Sequence, residues 1–264
     1  MKQIIKVKSK GEFVDFIENF HFPEEDVDFY KPEIDDLYFL YELTRKKVVV
    51  SILEYGSGWS SLALNLALFE NRQSFDSAFT NIVRHPNLWS HLIIDADKVF
   101  LDKSISRING REYLLGATGI QAICEITEES DGSPEVVASW SQLPNLVPDL
   151  IYVDGPDDNQ IVGSHKTFSY GADFMPPIFN DLIKIEHFLW PETLIVFDGR
   201  TAHARYLLDR FHRNWNFWHD PFGDRTIMRL EETPFGEISA KHMSQRLECS
   251  KVLNEKEKPV FMRS

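Results

Sequence analysis

Apolar positions recur at helical spacing in two stretches near the start of the chain, 10–21 (KGEFVDFIENFH) and 32–47 (KPEIDDLYFLYELTRK), and Pro32 suits a first helical turn. The spacing predicts two helices. From residue 48 onward, short apolar runs that close on Gly or Asp alternate with longer helical patterns. VVVSILEYG (48–56) leads into SSLALNLALFE, and HLIIDAD (91–97) into KVFLDKSISRI (98–108). GIQAICEI (119–126) reads as a third strand, PDLIYVDGP (148–156) as a fourth and ETLIVFDGR (192–200) as a fifth. The stretches 176–190 (PPIFNDLIKIEHFLW) and 202–214 (AHARYLLDRFHRN) read as helices. Continuous apolar strands alternating with helices predict a parallel, doubly wound α/β sheet covered on both faces.

The end of this pattern differs. WNFWHDP and RTIMRLEE are two strand-like runs joined by a short turn around FGD, too short for a crossover, so they are expected to be antiparallel. Alternation predicts that Trp215, Phe217 and Trp218 pack in the core rather than form a stacking surface. Residues 237–264 are charged with scattered apolar positions and read as a peripheral helix or partly ordered tail. The expected organisation is N-terminal helices (1–47) packed on an α/β core (48–232), with a charged C-terminal extension (233–264).

Composition narrows the partners. With 264 residues, 43% hydrophobic positions and 20 Phe, the chain can bury a substantial core. Its formal charge of −13 argues against a phosphate backbone or an anionic lipid surface, since both need a positive field, and favours a small-molecule or glycan partner. No apolar run approaches the roughly 20 residues of a membrane span, and no signal-peptide pattern opens the chain, so a cytoplasmic protein is expected. Cys124 and Cys249 are far apart and lack metal-ligand spacing, so they read as ordinary thiols.

The chemistry is suggested by ILEYGSGWSS, 52–61. A strand ending in an acid opens through Gly56 and Gly58 into a helix start, which lets the backbone approach a ligand closely and aims a helix N-terminus at it. Ser61 stands where a dinucleotide fingerprint has its third glycine, which counts against a nicotinamide-dependent oxidoreductase. Glu54, two residues before Gly56, suits an ammonium or sulfonium better than a pyrophosphate. These residues resemble the first motif of class I S-adenosylmethionine-dependent methyltransferases, apolar-apolar-acid-x-Gly-x-Gly. The resemblance implies a Rossmann-like sheet of seven strands, mostly parallel, whose last, antiparallel strand lies between the fifth and sixth. It also implies that Glu54, Tyr55, Gly56, Ser57, Gly58 and Trp59 surround the methionine part and ribose of the cofactor. Asp95 would hold the ribose hydroxyls; Asp97 is the alternative, and either is able to cap the helix beginning at Lys98.

Asp154 and Asp198 are expected at the carboxyl ends of neighbouring strands, where a doubly wound sheet binds its ligands. In methyltransferases of the catechol type, acids at these two ends and a following Asn hold Mg2+. Here Gly199 replaces the Asn, and GPDDNQ offers no match for the lysine base of those enzymes. Asp154 is also expected beside the cofactor, and a hard cation at Asp154 and Asp198 would lower an acceptor's pKa. His203 is a candidate base, with Arg200 and Arg205 beside it; His165 and Lys166 occupy a stretch able to close over the pocket. The sequence thus predicts methyl transfer to a small molecule or glycan, at oxygen. A non-catalytic binding protein of the same fold is the alternative.

Overall fold

The computed structural model describes residues 7–20, 31–80, 85, 87–128, 136–163 and 177–256. At its centre, β1 (Ser51–Tyr55) is buried along its whole length, as a continuous apolar strand covered on both faces should be. It pairs in parallel with β2 (Ser90–Asp95) on one side and β6 (Leu150–Val153) on the other. β3 (Thr118–Gln121) continues the sheet beyond β2, and β8 (Leu194–Asp198) beyond β6, again in parallel. The last strand, β10 (Arg225–Leu230), lies antiparallel between β8 and the edge strand β9 (Trp215–Asp220). The order is therefore β3-β2-β1-β6-β8-β10-β9, with the seventh strand reversed and inserted as the resemblance implies.

Alternation along the strands divides the core. Leu53, Tyr55, Ile151, Val153 and Phe197 face a layer that includes Leu182, Ala204 and Leu207 of α5 (Asp181–Ile185) and α6 (Thr201–Arg210). Ile52, Leu150, Tyr152 and Val196 face the opposite layer, with Leu40 of α2 (Ile34–Lys46) and Leu64 and Leu68 of α3 (Trp59–Thr80). α1 (Lys10–Glu18) and α4 (Lys98–Ile108) join this second layer through Phe13, Ile17, Leu101 and Ile108.

Several boundaries differ from the sequence expectation. The run 119–126 serves two sheets rather than one strand. It leaves the main sheet at Gln121 and resumes as β4 (Cys124–Glu128), which pairs with β5 (Val136–Trp140) and β7 (Ile161–Val162) in a second sheet ordered β5-β4-β7. The polar residues after Glu70 do not end α3, because Glu70 and Asn71 are buried with partners. Glu70 receives the Tyr41 hydroxyl at 2.9 Å and the Arg45 guanidinium at 3.2 Å, while Asn71 donates to the carbonyls of Thr44 and Val49. Within the segment expected as one helix, 176–190, the described residues 177–190 form only the short helix α5 and one 3-10 turn, Glu186–Phe188. Phe217 and Trp218 are not core residues; β9 is the edge of the sheet and leaves them 45% and 42% exposed. Within the C-terminal extension the described residues form a helix, α7 (Gly236–Lys256), clamped to the sheet by Arg246, which reaches Asp149 at 3.0 Å and the Lys47 carbonyl at 3.3 Å. No helix among the described residues is long and apolar enough to cross a membrane.

Candidate functional site

The strand registers bring the candidate residues into one row. Tyr55 is level with Ile94 and with Val153, and Val153 with Phe197. The residues that follow, Gly56, Asp95, Asp154 and Asp198, therefore emerge side by side at the carboxyl edge of four neighbouring strands. Above them opens a cleft of about 410 Å³ whose wall is completed by Glu33, Asp36, Leu37 and Leu40 from the start of α2.

Two glycines lock the floor of this cleft. Gly56 has φ +93°, and a Cβ on it would sit 2.8 Å from the Gly155 nitrogen. A Cβ on Gly155 would lie 2.7 Å from Gly56 Cα. The Tyr55 carbonyl accepts from both Asp154 N and Gly155 N at 2.9 Å, so the loops after β1 and β6 touch backbone to backbone. Gly155 was not singled out in the sequence. Gly58 differs, since a Cβ there would meet only Ser60 Oγ at 4.0 Å; Ser57, Gly58, Trp59 and Ser60 line the cleft where α3 begins.

Glu54 and Tyr55 stand behind this turn rather than in the cleft. Both Glu54 oxygens are occupied, one by the Ser60 hydroxyl at 2.6 Å and the other by His91 Nε2 at 2.9 Å, and the side chain is fully buried. His91 Nδ1 faces the Asn65 amide nitrogen at 3.3 Å, so Nδ1 accepts and Nε2 carries the proton that Glu54 receives. Glu54 thus fixes the first turn of α3 and is not among the described residues that line the cleft. The Tyr55 ring packs against Phe179 and Trp140 at centroid distances of 4.7 and 5.8 Å. Nothing in the sequence marked His91 or Asn65, which look like ordinary strand and helix positions.

Asp95 and Asp97 separate cleanly. Asp97 is the N-cap of α4, accepting from Val99 N at 2.7 Å and Phe100 N at 3.1 Å. Asp95 lines the cleft, bonded to the Ser57 hydroxyl and to Asp97 N at 2.8 Å. Burial pushes its carboxyl up to about 6, against the lowering effect of those two hydrogen bonds.

Asp154 and Asp198 share the cleft floor. Crowding by protein, then the Asp198 charge, push Asp154 up to about 8, while Arg200 opposes the rise. The side chain is nevertheless open to the cleft, so entering water tempers the crowding. Asp198 is raised by burial and held by the Tyr152 hydroxyl at 2.6 Å. Arg200 points at the Asp154 carbonyl, 2.7 Å away, and its guanidinium is 3.8 Å from Asp157. Six carboxylates line the cleft, from Glu33, Asp36, Asp95, Asp154, Asp157 and Asp198, against the single cation Lys31 among the described residues. Such a cavity attracts a cationic ligand.

His203 lies outside the cleft, contrary to its expected role as a base. It is buried between Phe179 and Phe197, its Nε2 donates to the Phe179 carbonyl at 2.8 Å, and burial pushes its pKa down to about 3. It is a neutral core residue because α6 turns that face inward. His165 and Lys166 lie outside the described residues.

No family model and no curated protein matches this chain. Solved structures that align with it include the SAH-bound methyltransferase PaMTH1 of Podospora anserina, at 13% identity over 88% of this chain and 100% of that one, TM-score 0.43. An O-methyltransferase from Bacillus cereus in complex with SAH aligns at 14% identity over 88% and 94% of the two chains, TM-score 0.38. TomG of Streptomyces achromogenes, an O-methyltransferase of tomaymycin synthesis in complex with SAM, aligns at 14% identity over 88% and 93%, also at TM-score 0.38. Likenesses this distant decide nothing about activity, which rests on the cleft.

Proposed function

We propose that the protein is a cytoplasmic S-adenosylmethionine-dependent methyltransferase that methylates a small molecule or glycan, at oxygen. The observation that carries this reading is the row Asp95, Gly56, Asp154, Asp198 beneath an acidic cleft, combined with a glycine turn that opens into a long helix. The cofactor supplies a methyl group on a sulfonium. Its two positive groups suit the carboxylates, and its carboxylate suits the N-terminus of α3 at Trp59 and Ser60. Asp95 would accept both ribose hydroxyls, and Gly56, Ser57 and Gly58 would lie along the methionine part. Asp154, on the cleft floor, would be the best-placed proton acceptor among the described residues, its pKa raised to about 8 by burial and then by the Asp198 charge. The protein's main contribution is to hold the acceptor oxygen in line with the sulfonium.

Asp154 and Asp198 fit Mg2+ only as a two-carboxylate site. Gly199 brings no side-chain oxygen from that loop, and Asp198 already accepts from Tyr152. A second reading, a binding protein without catalysis, draws on the burial of His203 and on a cleft that has no histidine among its described lining residues. Incubation with methyl-labelled S-adenosylmethionine and a panel of phenols, catechols, sugars and amines tests both. Label transfer to a hydroxylated acceptor, lost in Asp154→Asn, supports the enzyme; tight cofactor binding with no transfer supports the binding protein. Transfer unaffected by Asp154→Asn would remove Asp154 from its role.

A further inference from the structure

A second cluster of metal-ligating side chains sits at the opposite edge of the main sheet, beside the amino end of β6. His85 comes from the connection between α3 and β2, Asp149 directly precedes β6, and His242 lies in α7. One ligand atom of each falls within 4.8 Å of the other two, and all three residues are buried. Two ring nitrogens, His85 Nε2 and His242 Nδ1, have no hydrogen-bond partner although they are shut off from solvent, and the rings stand 4.6 Å apart. Buried polar atoms normally find partners, so two orphans in one place point to a missing ligand.

Asp149 sets the chemistry. Its Oδ1 accepts from His242 Nε2 at 2.7 Å, which keeps the proton on Nε2 and leaves the Nδ1 lone pair free. A carboxylate orienting one nitrogen of a histidine so that the other can bind an ion is the usual outer-shell arrangement of metal sites. Asp149 itself is not free to ligate, because Oδ1 also takes Arg246 Nη1 at 3.0 Å and Oδ2 takes Val50 N at 2.9 Å.

We propose that His85 Nε2 and His242 Nδ1 bind a borderline transition-metal ion of the Zn2+ class, with Asp149 orienting His242. Imidazole nitrogens select such ions over Mg2+ or Ca2+. Loading requires one rearrangement. His85 Nδ1 now accepts from Asn87 N at 3.0 Å, so its proton must pass from Nε2 to Nδ1 and the Asn87 amide must turn away. With only two protein ligands and the Arg246 cation nearby, micromolar rather than nanomolar affinity is expected. The ion would pin α7 to the loop before β2, adding to the clamp that Arg246 and the bond from Ser250 to the Lys46 carbonyl already make.

The test is calorimetric titration of the full chain with Zn2+, paired with Co2+ absorption and a melting curve. It is run in an Asp154→Asn, Asp198→Asn background so that the cleft does not compete. The expected result is one equivalent bound at micromolar Kd, a Co2+ visible band and a raised Tm. His85→Gln and His242→Gln should each weaken binding at least tenfold and abolish the rise in Tm. No binding below about 100 μM, or binding unchanged in both variants, would overturn the proposal. If His242→Gln does not fold, His85→Gln alone decides, since His85 lies in a connection rather than in a helix or strand.

Discussion

The contact between Gly56 and Gly155 can be dissected with three single substitutions to alanine. At Gly155 the new Cβ meets Gly56 Cα at 2.7 Å and its nitrogen at 2.9 Å, a backbone clash with nothing flexible to yield. Overpacking of this kind costs about 1–3 kcal/mol. At Gly110, φ is +83° but no atom lies within 4 Å, so only the left-handed conformation is penalised, by about 1–2 kcal/mol. Gly56 combines both conditions, φ +93° and a Cβ 2.8 Å from the Gly155 nitrogen, and should lose roughly the sum, about 2–5 kcal/mol. Alanine also stiffens the unfolded chain by about 0.4–1 kcal/mol, an offset common to all three. Urea denaturation read by circular dichroism gives the three losses, and titration with S-adenosylmethionine gives the functional consequence. Gly155→Ala should weaken cofactor binding by more than tenfold, because relieving the clash displaces the loop that carries Asp154, whereas Gly110→Ala should leave it unchanged. A Gly56→Ala protein no less stable than Gly110→Ala would refute the close approach.

Four further outcomes are expected. Cofactor affinity should strengthen between pH 5 and 8, as Asp95 (about 6) and Asp154 (about 8) release their protons, and Asp154→Asn should flatten the upper part of the curve; a flat calorimetric profile for the unaltered protein would contradict this. Both carboxyls bind protons more readily folded than unfolded, so their contribution to stability is fullest below about pH 4 and is lost as pH rises through 6 to 8. His203→Phe should cost about 1–3 kcal/mol of stability by leaving the Phe179 carbonyl unpaired, with cofactor affinity unchanged. A selective loss of turnover would restore His203 to the site. Arg246→Ala leaves buried Asp149 without its guanidinium and should cost about 3–5 kcal/mol, seen as a lower urea midpoint.

The strand ends were legible in the sequence because each apolar run closes on an acid or glycine, and in a parallel sheet those closures all fall on one edge. Those closures place Asp95, Asp154 and Asp198 around Gly56. Orientation was not legible. Glu54 precedes the glycine turn as a ligand-binding acid would, but a neighbouring strand supplies His91 and the first turn of α3 supplies Ser60, and together they hold it away from the cleft. Gly155 needed the distance to Gly56, which no local pattern carries. The wall of the cleft formed by Glu33 and Asp36 was hidden for the same reason, since how α2 docks on the sheet is a tertiary fact. Glu70 and Asn71 read as the end of a helix because polarity usually marks a surface, and their partners in α2 reverse that meaning. Phe217 and Trp218 failed in the opposite sense: alternation finds a strand, but only the sheet order shows that β9 is an edge.

The most direct test of the account is calorimetric titration of the purified chain with S-adenosylmethionine and its demethylated product, with NAD as control. Micromolar binding of the first two, weakened at least tenfold by Gly58→Val without loss of fold, and no binding of NAD, is the predicted result. Failure of both sulfur compounds to bind would mean that the turn at Gly56 and Gly58 is architecture alone.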